Sequence, residues 1–244
     1  MVLGARTVVA VASPTELARY YEAVAPFYAA ETALRADLPL WRAIVARAGA
    51  RAIVDLGCGD GRAARALPPD LDVVGVDLLT SLLPPEPGFE FVQADMRDLP
   101  FVDRRFDLAI AANDPFAHLL GDDDRARALD EAQRVAGRIV VDGLAMSPID
   151  DARAGSTGLV KEAALPGGVT RHETWHALGG HRYHATYRYL RDGAVLAEAA
   201  ADVRAWSRDE PALRGRWPRL YGGLDGRPFD PDASAVVIAI GVAL

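Results

Sequence analysis

The sequence predicts an α/β fold built on a mostly parallel sheet with helices on both faces. Three observations carry this. Five short apolar runs (52–56, 72–78, 89–95, 106–113 and 137–144) alternate with helical patterns, the signature of strands joined by crossover helices. Several of these runs are hydrophobic nearly throughout, as IVDL and LAIAA are, which fits strands buried on both sides. A cluster of glycines follows the first run directly and opens a helical stretch.

In chain order, residues 1–13 read as a loosely ordered start. Ser13-Pro14 with Glu16 three positions after the serine has the pattern of a capped helix start. The stretch from Thr15 to Gly49 then reads as two or three short helices, interrupted near Pro26 and Pro39. The acidic run Asp122–Asp124 suits the positive start of a helix leading into the fifth strand. After about residue 150 the texture changes to alternating segments rich in Tyr, Trp, Thr and Val. Gly179-Gly180 and Asp192-Gly193 offer hairpin turns between them. This predicts an antiparallel, lid-like sheet inserted after the fifth parallel strand. Ser207 to Glu210 looks like a helix start, and Ala235 to Val242 like a final strand of the main sheet. The expected division is a helical cap over 1–50, a ligand-binding α/β domain over 51–150 and 207–244, and a lid over 151–206.

Composition narrows the function. The 244 residues suffice for one large domain with a modest insertion. A formal charge of -7 gives no grip on a nucleic-acid backbone and disfavours anionic membranes. Lys161 is the sole lysine among 27 basic residues, a pattern read as codon bias of the source genome. The one cysteine, Cys58, permits neither an intrachain disulfide nor a cysteine-based metal site. No apolar run reaches the ~18 residues of a membrane span, and the opening apolar patch is too brief for a signal-peptide core. The expected address is the cytoplasm.

The most informative stretch is Ile53 to Arg62, with glycines at 57, 59 and 61. Glycine permits a tight turn and lets a ligand lie against bare backbone. The next apolar run brings Asp77 to its tip, where a carboxylate can accept bonds from both hydroxyls of a ribose. The G-x-G-x-G spacing differs from the dinucleotide G-x-G-x-x-G, and no Gly-Lys-Ser/Thr of a phosphate loop is present. Asp55, leading the loop, would repel a pyrophosphate but suits a cationic amino-acid moiety. The charge logic favours S-adenosylmethionine over a nicotinamide dinucleotide.

With these residues, DLGCGDGR resembles the first motif of the class I S-adenosylmethionine-dependent methyltransferases. GVDLL resembles the family's second-strand acidic motif, QADMRDLPF its adenine motif, and FDLAIAANDPFAHLL its fourth-strand motif. The later part resembles small-molecule members with an antiparallel lid, the glycine and aminosugar N-methyltransferase relatives. The resemblance implies a seven-stranded Rossmann-like sheet and S-adenosylmethionine as cofactor, with S-adenosylhomocysteine as product. By matching position, Asp55, Gly57, Cys58 and Gly59 would hold the methionine end of the cofactor. Asp77 would take the ribose, Leu78 would lie against the adenine, and Asp95 and Met96 would contact the adenine amino group and ring. Ala112 and Asn113 would sit near the sulfonium, while Tyr21 and Tyr28 would cover the cofactor or simply form a packed aromatic face. Family members also pair through the N-terminal helices or the lid, which makes a homodimer the oligomeric expectation.

Methyl transfer from a sulfonium is an in-line displacement, so the enzyme mainly aligns the acceptor and removes water. A base is needed only for a nucleophile that arrives protonated. The candidates are His118, after the fourth strand, and His172 and His176, four apart and so on one face of a predicted strand. For the two lid histidines the plainer reading is a polar, partly exposed hairpin. No carboxylate or cysteine falls in a familiar spacing around them, and no metal site is expected. The expectation is a methyl transfer to N or O of a small-molecule acceptor. The alternatives are a cofactor-binding enzyme of the same fold that does not methylate, with lid histidines as acid and base, and a silent partner subunit.

Overall fold

The computed structural model describes residues 13–207, 209–230, 232 and 235–244. Of the expected loose start at 1–13, residues 1–12 lie outside the described residues, as does Arg208 of the expected helix start at Ser207 to Glu210, which is followed by a single 3-10 turn, Pro211–Leu213, and not by an α-helix. Helix α1 (Pro14–Ala33) begins with the anticipated capping box: Glu16 N donates to Ser13 Oγ at 3.2 Å and Ser13 N to Glu16 Oε2 at 2.9 Å. It runs unbroken through Pro26. A proline inside a helix removes one backbone bond and crowds the turn before it. Packing offsets that cost, because Val24 is buried and the Phe27 ring stacks on Tyr189 at 4.1 Å. Pro39 instead lies in the first turn of α2 (Leu38–Ala48), where its missing N–H is harmless.

The main sheet holds β1 (Ala52–Leu56), β2 (Asp72–Asp77), β3 (Glu90–Gln93), β4 (Leu108–Ala111) and β5 (Ile139–Leu144), all parallel where they pair. Helix α3 (Arg62–Ala66) follows β1 and α4 (Asp122–Val135) precedes β5. After β5 come α5 (Pro148–Ser156) and a second sheet of β6 (Leu159–Leu165), β7 (Val169–Gly179), β8 (Arg182–Arg191) and β9 (Ala194–Arg204), antiparallel throughout. The chain then returns as β10 (Arg219–Tyr221) and β11 (Ala235–Ile240), the latter antiparallel to β5. The order is β10-β11-β5-β4-β1-β2-β3. No helix among the described residues is long and apolar enough to cross a membrane.

Alternation along each strand feeds two cores. Val54, Leu56, Ala109, Val141 and Ile238 face α4, with Ala128, Leu129 and Val135 against them. Ile53, Leu108, Ile110, Val140 and Val237 face the other way, onto Trp41, Ile44 and Val45 of α2. Both faces are dry, which is why these strands read as continuous apolar runs. The second sheet packs α1 across its inner face through Val24, Leu165, Val169 and Tyr189. This sheet and α1 together wall off the C-terminal ends of β4 and β5, the end at which open α/β sheets bind ligands.

Candidate active site

The tips of β1 and β2 make one cleft. Gly57 and Gly59 both adopt left-handed backbone, at φ +66° and +57°. The β1 loop also runs close to the loop after β4: a Cβ added at Gly57 would stand 2.2 Å from Pro115 Cβ. Asp77 is held by backbone amides, Gly59 N donating to Oδ2 at 2.8 Å and Leu79 N to Oδ1 at 2.9 Å. Each carboxylate oxygen keeps further acceptor capacity beyond its amide, and Asp77 lines the cleft. Burial raises the Asp77 pKa, partly countered by these amide bonds.

The cleft spans about 920 Å³ with its open mouth included. Its walls bring together Tyr21, Tyr28, Gly57, Gly59 and Asp77. Leu78, Asp95, Met96, Ala112 and Asn113 complete the same walls. Both Asp95 oxygens are engaged by Arg97, at 2.6 Å from its terminal nitrogen, and Arg97 also reaches Asp124 at 2.7 Å. The guanidinium holds the Asp95 carboxyl below its usual range against the opposing effect of burial. Sequence reasoning missed Arg97, Pro115 and Ser81, which also line this cleft.

The structure does not bring Asp55 and Cys58 to the cleft. Strand alternation gives Asp55 the same face as Ile53, toward α3 behind the loop. It is 1 % exposed, and neither carboxylate oxygen has a hydrogen-bond partner. Desolvation pushes its pKa up to about 7. Cys58 is likewise buried behind the loop, with its Sγ beside Gly75. The expected electrostatic partner of a cationic amino-acid moiety is therefore set back from the cavity.

A second cavity, about 1280 Å³ with its mouth, lies between α1, the tips of β4 and β5, and the second sheet. It adjoins the first at a shared wall of Tyr21, Tyr28, Asn113 and His118. Tyr21 Oη and His118 Nε2 are 3.0 Å apart, and His118 Nδ1 is buried without a partner. Desolvation lowers the His118 pKa to about 4, so the ring is neutral at ordinary pH. Asn113 Nδ2 donates to Tyr28 Oη at 3.5 Å. Asn113 and Asp114 are consecutive left-handed residues, at φ +65° and +51°. Asp114 accepts from Leu144 N at 2.7 Å and Trp206 Nε1 at 3.1 Å, and burial raises its pKa to about 6. Its neighbour Asp142 is bonded by Arg35.

The structure leaves His172 and His176 out of this cavity. On β7 the residues that turn inward are Arg171, Glu173 and Trp175, so His172 and His176, at the alternate positions, point to the opposite face. His172 Nε2 sits 3.2 Å from Glu162 of the neighbouring strand, and His176 is exposed. The pocket-facing charges were hidden in the sequence because an alternating strand gives no sign of which face turns inward. The double left-handed turn at Asn113-Asp114 was the one local signal available for Asp114.

Residues 53–137 match a family model described as a methyltransferase domain. No curated protein matches the chain. Among solved structures, the CcbJ methyltransferase of Streptomyces caelestis is 21% identical, covering 92% of this chain and 98% of that one, at a TM-score of 0.75. An S-adenosylmethionine-dependent methyltransferase of Clostridium acetobutylicum is 13% identical, over 94% and 99%, at 0.66. CalS10, an amino pentose methyltransferase of Micromonospora echinaspora with S-adenosylmethionine bound, is 20% identical, over 83% and 88%, at 0.59. The chain thus folds as these methyltransferases do, and its residues 53–137 are similar to a methyltransferase domain.

Proposed function

We propose that the protein transfers a methyl group from S-adenosylmethionine to a nitrogen or oxygen of a small molecule held in the second cavity. The observation that carries this reading is the wall common to both cavities, Tyr21, Tyr28, Asn113 and His118. One cavity has a ribose-type carboxylate and bare glycine backbone. The other is lined by aromatic and polar side chains and borders the first at that wall. When bound, the cofactor supplies an electrophilic methyl group on a sulfonium. Gly57 and Gly59 provide backbone for its amino-acid end, Asp77 the ribose contact, and Leu78 and Met96 the adenine faces. Tyr21 and Tyr28 close the cleft from α1 and exclude water, which favours displacement of charged groups.

His118 is the acceptor-positioning group in this reading. Its ring is held at Nε2 by Tyr21, on the wall that lines both cavities. A neutral imidazole can receive or align a proton wherever pH exceeds its pKa. The acid limb of the transfer rate attributable to His118 is therefore expected near pH 4, not near 6.5. The stability contribution has the same sign: it is fully present above the unfolded value of 6.5 and lost as pH falls through about 4. His118→Ala is expected to slow transfer about 100-fold, more than it weakens cofactor binding. Single-turnover rates between pH 4 and 8 check both. An acid limb near 6.5 would show a solvated, readily protonated imidazole and remove His118 from the role.

The activity itself is tested by mass spectrometry after incubating the protein with methyl-deuterated S-adenosylmethionine and a small-metabolite extract. The expected result is S-adenosylhomocysteine together with an acceptor carrying the labelled methyl. A changed acceptor without the label, with the cofactor intact, would favour a non-methylating reaction.

A further inference from the structure

One charged side chain in the second cavity stands apart. Its carboxylates are engaged by neighbours: Asp142 by Arg35, and Glu31 by Arg171 at 3.1 Å. Glu173 accepts from Arg171 on one oxygen and from Trp175 Nε1 at 2.9 Å on the other. Arg35 and Arg171 are correspondingly paired. Lys161 of β6 also lines the cavity, and no carboxylate among the described residues lies within 4.0 Å of its ammonium. Its backbone partner across the ladder is Glu173, the position from which an opposite charge would ordinarily reach it, but both Glu173 oxygens are already taken. The Lys161 Nζ instead sits 5.5 Å from the Trp175 ring centroid.

The ring beneath it begins a continuous aromatic wall. Trp175 and Tyr187 have centroids 6.1 Å apart, Tyr187 and Tyr20 5.6 Å, and Tyr20 and His118 5.9 Å. The wall runs from an unpaired cation at one end to the positioning imidazole at the other. The Lys161 side chain lies on β6 and lines this cavity. Lysine offers what arginine does not, a compact charge on a flexible stem with three rotatable donors.

We propose that Lys161 anchors an oxyanion on the methyl acceptor, a carboxylate or a phosphate monoester, while the acceptor's flat or apolar body lies along the Trp175–Tyr187–Tyr20 wall. Its nucleophile then stands at His118. This rests on the reading of the second cavity as the acceptor site. It makes Lys161 a specificity-determining residue, with no part in the displacement itself.

The test is isothermal titration of the protein saturated with S-adenosylhomocysteine, using phenylacetate, phenyl phosphate and the neutral phenylacetamide as probes. One of the anions is expected to bind at least about tenfold more tightly than the amide, and which one does so distinguishes carboxylate from phosphate. Lys161→Met should bring that anion to the amide's level, and Lys161→Arg should keep most of the preference. S-adenosylhomocysteine should bind wild type and both variants equally. Equal binding of all three probes, no binding of any, or a preference that survives Lys161→Met would overturn the proposal and leave Lys161 as a countercharge to Glu31 and Glu173. Loss of S-adenosylhomocysteine binding in the wild type would instead strike the cofactor reading. The probes, titrated without cofactor, would still decide the role of Lys161.

Discussion

Glu210→Ala is expected to lower unfolding free energy by about 3–5 kcal/mol, the cost of stranding buried charges, and to do so without touching either cavity. The Glu210 side chain is fully buried between two arginines, with Oε2 3.1 Å from Arg125 and Oε1 2.8 Å from Arg204. Arg125 is itself fully buried, donates to the carbonyls of Leu119, Ala205 and Phe116, and lies over the Trp206 ring at 4.4 Å. Removing Glu210 leaves Arg125 without a contacting carboxylate and Arg204 with only Asp122, at 2.6 Å. Desolvation already lowers the Arg125 pKa to about 10, which leaves the guanidinium charged at neutral pH and its partner necessary. At roughly 2–4 °C per kcal/mol for a chain of this size, the melting temperature should fall by about 10 °C. Glu162→Ala is the matched control. That carboxylate is mostly exposed and pairs with a half-exposed His172, so its loss should shift stability by less than about 1 kcal/mol. Denaturant melts of the two variants check the pair. Equal, small effects would mean that the buried cluster relaxes around the missing carboxylate.

The second large effect is expected at the first glycine of the loop. Gly57→Ala should weaken S-adenosylhomocysteine binding about 100-fold, or about 2.7 kcal/mol. Two costs combine there. A side chain is placed in left-handed backbone at φ +66°, and its Cβ falls 2.2 Å from Pro115, in the loop that also carries Asn113 and leads to His118. Pro115 is a ring in a short turn, so relief of the clash moves the wall that both cavities share. Gly49→Ala separates the two costs, because Gly49 has φ +61° and nothing within 4 Å of the added Cβ. It should lose only about 1 kcal/mol of stability and leave binding unchanged. Gly59→Ala falls between, meeting Tyr28 Oη at 3.3 Å. Binding isotherms for the three variants give the order directly. Wild-type affinity in Gly57→Ala would show that the β1 and β4 loops separate freely.

The main sheet was legible because its central strands are largely buried on both faces, so IVDL, VVGVD and LAIA stood out from their surroundings. The cofactor-type cleft was legible for the same reason that it is local: Gly57, Gly59 and Asp77 lie on one β-loop-α-β unit. Three elements escaped. Strand β6, LVKEAAL, alternates so gently around Lys161 and Glu162 that it carries no strong period. Helix α5 is only nine residues long and mostly exposed. Strand β10 is three residues held at the sheet edge by β11. Pro26 misled in the opposite direction, since helix breaking is a local tendency and the packing of Phe27 on Tyr189 is not local. The second cavity was the least legible part. Glu31, Arg35, Asp142, Lys161 and Arg171 come from α1, the loop after it, β5, β6 and β7, and the pairing of β6 with β7 and the lie of α1 bring them to one wall. Which lid residues turn inward depends on a register that histidine spacing alone does not reveal.

The most direct measurement is titration of S-adenosylmethionine into the wild-type protein and into Asp77→Ala. The Asp77 carboxylate is fixed by the amides of Gly59 and Leu79, and in this structure it is the hinge between the glycine loop and the cleft. Saturable binding to the wild type, weakened at least about tenfold in Asp77→Ala (~1.4 kcal/mol), is the expected result. Equal affinity in both proteins, or no binding to either, would contradict the assignment of this cleft to the cofactor and with it the path of the methyl group to the second cavity.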